Sequence, residues 1–178
     1  MTEQPLSVNE VLRNLHHDFL NQLQLIKMNL ALENVDGANQ VIDNISLKFQ
    51  QTFAFNSLKC EHFVEWLNTC EWRFSSFNIT IDSDISDSIP AIWDIPLRDF
   101  MENTFQHIQK LVDPMVEQNC EIYIMSTEDK VEILFNLSGK WDNEAFTAQI
   151  DGAGLIVAHE HYSDTLWRYR VIGSKEGI

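Results

Sequence analysis

Positive charge, cysteine and long apolar runs are all scarce in this chain. Its 178 residues hold 12 Lys and Arg against 27 Asp and Glu, a formal net charge of −15. Nucleic acid and anionic membranes both need a basic surface to replace their counterions, so neither is expected as a partner. The cysteines, Cys60, Cys70 and Cys120, are odd in number and widely spaced. They fit neither a disulfide framework nor a paired metal knuckle, and reduced, partly buried thiols are expected. No stretch approaches the roughly 18 apolar residues of a membrane span. Met1-Thr2-Glu3-Gln4 also lacks the basic start and apolar run of a secretory signal, so the expectation is a soluble, cytoplasmic protein. The acidic excess is uneven: residues 1–57 carry 6 acidic and 3 basic side chains, residues 58–178 carry 21 and 9. The second part should repel a polyanion such as ATP unless it holds a dedicated phosphate cradle.

What is present is a core of reasonable size, with 44% apolar residues, and a strong helical rhythm at the start. Length and composition suit one ordinary domain, or a helical element joined to a compact domain. Ser7 is placed to cap a helix from Val8, with Glu10 completing a capping box, and the periodic pattern runs to about Glu33. Leu12, Leu15, Phe19, Leu23, Ile26 and Leu30 fall within about 80° of one another on a 3.6-residue period and form one stripe that must be covered. Val35-Asp36-Gly37 reads as a tight turn, after which Ala38, Val41, Ile42, Ile45, Phe49 and Phe53 recur by threes and fours. The short connection makes an antiparallel hairpin. Two helices cannot enclose a core by themselves, so a second hairpin related by a two-fold axis is expected, giving a homodimeric four-helix bundle. Packing of the hairpin on its own C-terminal domain is the alternative.

Within the first helix, the run Leu15-His16-His17-Asp18-Phe19-Leu20-Asn21-Gln22-Leu23-Gln24-Leu25-Ile26 gathers an imidazole, a carboxylate and a carboxamide. His17 lies roughly 155° from the middle of the apolar stripe and should face solvent, with Asn21 beside it one turn on. A lone helical histidine is an ordinary surface residue, and it is the combination that points to chemistry. Neutral imidazole, with a reference pKa of about 6.5, is a nucleophile at physiological pH and forms a reactive nitrogen–phosphorus bond. Asp18 is placed to hold one ring nitrogen protonated, but adjacent helical residues diverge, so Asn21 has the better geometry. His16 flanks the stripe and is expected to be partly buried. Leu20, Leu25 and Met28 lie off the stripe and fit either a dimer core or an apolar docking surface.

The run resembles the histidine box of the sporulation initiation phosphotransferase B family and of sensor kinases sharing its helical hairpin: His-Asp/Glu, two residues, Asn, then Leu-Gln-Leu-Ile. A looser likeness continues through Ser57-Leu58-Lys59, Trp66 to Trp72, Phe77-Asn78-Ile79 and Leu134-Phe135-Asn136-Leu137-Ser138-Gly139 to Phe146. The resemblance implies that His17 takes a phosphoryl group from the aspartyl phosphate of one response-regulator receiver domain and passes it to a second. The receiver would bring Mg²⁺, the chain having no cofactor of its own. Arg13, His16, Leu20, Gln24, Lys27 and Met28 are the candidate docking residues for such receivers. One departure is plain, since the family commonly has Arg just before the active histidine and this chain has His16.

Beyond residue 57 the pattern shortens. Residues 60–75 read as an amphipathic helix through Phe63, Trp66, Leu67 and Cys70, and Asn78-Ile79-Thr80-Ile81-Asp82 alternates as a strand. Pro90 and Pro96 flank a turn, and residues 96–112 form a helix with Leu97, Phe100, Met101, Phe105, Ile108 and Leu111 inward. Cys120–Ile124 and Val131–Phe135 suggest a hairpin around Glu128-Asp129-Lys130, and Leu155–Ala158 and Leu166–Val171 further strands. The expected class is α+β: a hairpin domain over 1–57 and, over 58–178, an α/β sandwich resembling a degenerate histidine-kinase ATP-binding domain.

The degeneracy is read from two segments. Histidine kinases hold Mg-ATP with an asparagine-bearing helix and an Asp-x-Gly-x-Gly loop. Here Glu102-Asn103-Thr104-Phe105-Gln106-His107 has His107 where the resemblance requires a second asparagine, and Asp151-Gly152-Ala153-Gly154 lacks the glycine spacing. His159 and His161, expected on one strand face, and Cys60 with His62, lack a second convergent ligand pair and read as structural. The expected activity is a histidine phosphotransferase, not an ATP-dependent kinase, with sporulation as the implied output. A receiver-binding inhibitory module and a phosphatase in which Asn21 orients water are the alternatives.

Overall fold

In the computed structural model, residues 6–142, 150 and 154–176 are described, and they fall into two compact units, Met1–Phe53 and Ala54–Ile178. The first unit holds α1 (Val8–Ala31) and most of α2 (Val35–Phe55). Ser7 caps α1 as expected: its hydroxyl accepts from the Glu10 amide at 3.3 Å, and its own amide donates to Glu10 Oε2 at 2.8 Å. The reversal comes earlier than Val35-Asp36-Gly37. Glu33 takes the left-handed conformation (φ 58°), and Asn34 caps α2 by accepting from the Gly37 amide at 3.1 Å. A side-chain acceptor one turn before the glycine pulls Gly37 into the helix. Asn34 also donates to Asn29 Oδ1 at 2.8 Å. A Cβ on Gly37 would lie 2.3 Å from Asn34 Nδ2 and 2.5 Å from Asn29 Oδ1, so only glycine lets the two asparagines meet.

The covered face of α1 is not its apolar stripe. Its half-buried positions are Val11, Asn14, Asp18, Gln22, Ile26 and Asn29, whereas Leu12, Leu15, Phe19, Leu23 and Leu30 keep between 42% and 53% of their surface open. The two faces differ by about 80° around the helix. No residue of α1 is buried.

The second unit is α+β, with helices on one face of a mixed five-stranded sheet. Its elements are α3 (Glu61–Arg73), β1 (Phe77–Ile85), α4 (Asp94–Ile108), β2 (Gln118–Ser126), β3 (Lys130–Ser138), β4 (Leu155–Tyr162) and β5 (Leu166–Ser174). The strand order is β1-β2-β3-β5-β4. β1 and β2 run parallel, joined by a crossover through α4, and every other pair is antiparallel. α4 starts at Asp94 and stops at Ile108, displaced from the expected 96–112. Pro96 fits its first turn, where a missing amide costs nothing, and beyond Ile108 the Asp113 amide bonds Lys140.

Alternation along the strands delivers Ile122, Ile124, Ile133, Phe135, Tyr169 and Val171 to the helix-covered face. Phe105 of α4 is the hinge pin of this core. Its ring centroid lies 4.9 to 5.7 Å from those of Trp66, Phe74, Phe77 and Phe135. The helices are also tied by polar contacts. Asp94 of α4 accepts from the His62 and Phe63 amides at the start of α3, and pairs with His62 Nδ1 at 2.8 Å. All three cysteines are free and buried, and burial pushes Cys60 and Cys70 up to about 12, so neither is a ready nucleophile.

Candidate functional site

His17 stands on the open side of α1 with 74% of its side chain exposed. Asn21 and Asp18 both meet the same ring nitrogen. The Asn21 amide lies 3.2 Å from Nδ1 and the Asp18 carboxylate 3.5 Å from it. Adjacent residues diverge by 100° on a helix, which puts Asp18 on the half-buried face, yet its short side chain still reaches the root of the ring. The consequence is chemical. A neutral imidazole carries one proton, and with Nδ1–H donating to the carboxylate, the lone pair that can attack sits on Nε2. Asn21 Nδ2, the amide atom at 3.2 Å, donates to Nδ1 only in the other tautomer, so it is the Asp18 contact that selects Nε2 as the attacking atom.

Arg13, His16, Leu20, Gln24, Lys27 and Met28 are all exposed around or beside this face. His16 therefore departs from the expected partial burial. The cover on α1 follows the Asn14–Asp18–Gln22 line, about 160° away from His16, and leaves the apolar stripe beside it open.

In the second unit the segment compared with the kinase asparagine helix is committed to structure. Glu102 accepts from Trp66 Nε1 at 3.0 Å and Gln106 Nε2 at 2.7 Å, and forms an ion pair with Arg73. Thr104 and Phe105 are buried, while Asn103 is exposed. Of Asp151-Gly152-Ala153-Gly154 only Gly154 lies within the described residues, and Phe146 lies outside them. His159 and His161 do not share a strand face. A bulge at Glu160 pairs His159 with Tyr169 and His161 with Arg168, neighbours that point to opposite sides. His159 stacks on Trp167, and the hydrogen bond that His62 donates to Asp94 raises the pKa of His62. Among the described residues no three His, Cys, Asp or Glu side chains gather as a metal site.

These features define a class: a helical hairpin offering an oriented imidazole to solvent, followed by a helix-backed mixed sheet. Residues 1–58 match the family model described as the alpha-helical domain of SpoOB-type sensor kinases. No curated protein matches the chain. Among solved structures, the catalytic domain of histidine kinase ThkA is 13% identical over 67% of this chain and 92% of its own, with a TM-score of 0.43. Acinetobacter baumannii histidine kinase AdeS is 6% identical over 90% and 98%, with a TM-score of 0.43. Histidine kinase ThkA in complex with response regulator protein TrrA is 11% identical over 93% of this chain and 61% of its own, with a TM-score of 0.42. Among the described residues no helix is long and apolar enough to cross a membrane.

Proposed function

We propose that this chain is a cytoplasmic phosphorelay phosphotransferase of the sporulation initiation phosphotransferase B type, acting between two response-regulator receiver domains. The observation that carries this reading is His17, open to solvent with Asp18 and Asn21 both at Nδ1. The match of residues 1–58 to the SpoOB-type helical domain supports it. In the forward step the Nε2 lone pair forms a bond to phosphorus, the phosphorus–oxygen bond to the receiver's aspartate breaks, and its electron pair leaves on the carboxylate. The Nδ1 proton stays on the ring, stabilised by Asp18. The reverse step on a second receiver restores the imidazole. Transfer of this kind rests on alignment and charge neutralisation, with Mg²⁺ supplied by the receiver. Consumption of Glu102 by Arg73, Trp66 and Gln106 supports a phosphotransferase without ATP-dependent kinase activity.

The test uses a receiver carrying labelled phosphate. A carrier becomes labelled and labels a second receiver, and Mg-ATP in place of the first receiver labels nothing. An inhibitory module would leave the label on the receiver, and a phosphatase would release it as inorganic phosphate without becoming labelled.

The uncovered stripe supports a homodimeric four-helix bundle, because Phe19 keeps 48% and Phe49 47% of their surface open. Phe19→Asp should then yield monomer or unfolded chain by light scattering, since an unpaired charge in the bundle core costs several kcal/mol. A dimer of unchanged mass and stability would put the interface elsewhere.

A further inference from the structure

We infer that Arg13 is the side chain that grips the phosphoryl group while His17 carries it, an assignment that rests on the carrier reading above. α1 holds two Lys or Arg residues, Arg13 and Lys27. Arg13 precedes His17 by four residues, about 6 Å along the axis and 40° around it, whereas Lys27 lies about 15 Å away along the axis. Both Arg13 and His17 are exposed. The ring orientation selects the side. Nδ1 is turned to Asn21 in the following turn at 3.2 Å and to Asp18 at 3.5 Å. The opposite edge of the ring, which ends in Nε2, is thereby turned away from Asn21, and Arg13 is the basic residue one turn earlier on the same side of α1.

A phosphoryl group on Nε2 brings about two negative charges and three acceptor oxygens next to the Asp18 carboxylate, so it needs a cation on the side away from Asp18. A guanidinium meets two phosphoryl oxygens as a fork, which fixes the group's rotation as well as its charge. The nearest acidic neighbour on the same helix does not occupy Arg13 fully. Glu10 uses Oε2 to accept from the Ser7 amide at 2.8 Å and hydroxyl at 2.7 Å. Those bonds are the main reason its carboxyl is held low, with the Arg13 charge a smaller contribution.

The experiment compares Arg13→Gln and Arg13→Lys with the unaltered chain, using two donors. Phosphorylated receiver must dock. Potassium phosphoramidate needs no docking: Nε2 bonds to phosphorus, the phosphorus–nitrogen bond breaks and ammonia leaves. Arg13→Gln should slow labelling by both donors about tenfold, lowering kcat for the receiver with KM unchanged, and Arg13→Lys should restore part of the rate. The circular dichroism melt should not move. A raised KM with unchanged kcat and unchanged phosphoramidate labelling would make Arg13 a docking residue, overturning the assignment while leaving the carrier reading intact. Failure of the unaltered chain to take label from either donor would overturn both.

Discussion

Incubated with a phosphorylated receiver domain, His17→Gln takes up no acid-labile phosphate and delivers none to a second receiver. The loss is complete because glutamine has no ring nitrogen to form the phosphoramidate, so no weaker version of the covalent step remains. Folding is nearly untouched: a side chain 74% exposed rarely shifts stability by more than about 0.5 kcal/mol. His16→Gln should keep at least partial transfer, because His16 lies about 100° from His17 around α1. Asn21→Ala should slow labelling without abolishing it, since it removes one of two groups at Nδ1 and leaves Asp18. Phosphate retained by His17→Gln but lost by His16→Gln would show that the helix presents the other imidazole, and the motif alignment would be wrong by one residue.

Arg73→Ala should destabilise the second unit by about 3 kcal/mol, seen as a lower denaturant midpoint with an unchanged slope. Arg73 and Glu102 each keep only 14% of their side-chain surface, and the guanidinium also lies 5.6 Å over the Phe74 ring. Removing the cation leaves a half-buried carboxylate held by Trp66 and Gln106 alone. A double variant, Arg73→Met with Glu102→Gln, should recover most of the loss, because it removes both charges and keeps an acceptor for the Trp66 N–H. A cost below about 1 kcal/mol for Arg73→Ala would mean that solvent screens the pair and that Glu102 is free for another role.

Much of the architecture was legible because local periodicity reports it. The capping box at Ser7 and Glu10, the helix through Phe63, Trp66, Leu67 and Cys70, and the β2–β3 hairpin all lie where the patterns put them. The misreadings occur where two local signals compete. Val35-Asp36-Gly37 looks like a turn, but Asn34 supplies a stronger cap one residue earlier and draws Gly37 into α2. His159 and His161 look like facing neighbours on a period of two, and the bulge at Glu160 breaks that period. His16 is expected to be partly buried because it flanks the apolar stripe, and within one chain that stripe is open and His16 with it.

The sequence by itself determined the hairpin, the outward face of His17 and the proximity of Asn21, since each follows from contacts within one helical turn. It also determined the α+β character of the second unit through alternation. Only the tertiary structure decided that β1 pairs parallel with β2 across about forty residues and that Glu102 is spent on Arg73 and Trp66. The difference is one of range. Helical phase and strand alternation are set by neighbouring backbone dihedrals, whereas a strand partner or a buried ion pair depends on which distant segments lower the free energy of the whole core by meeting.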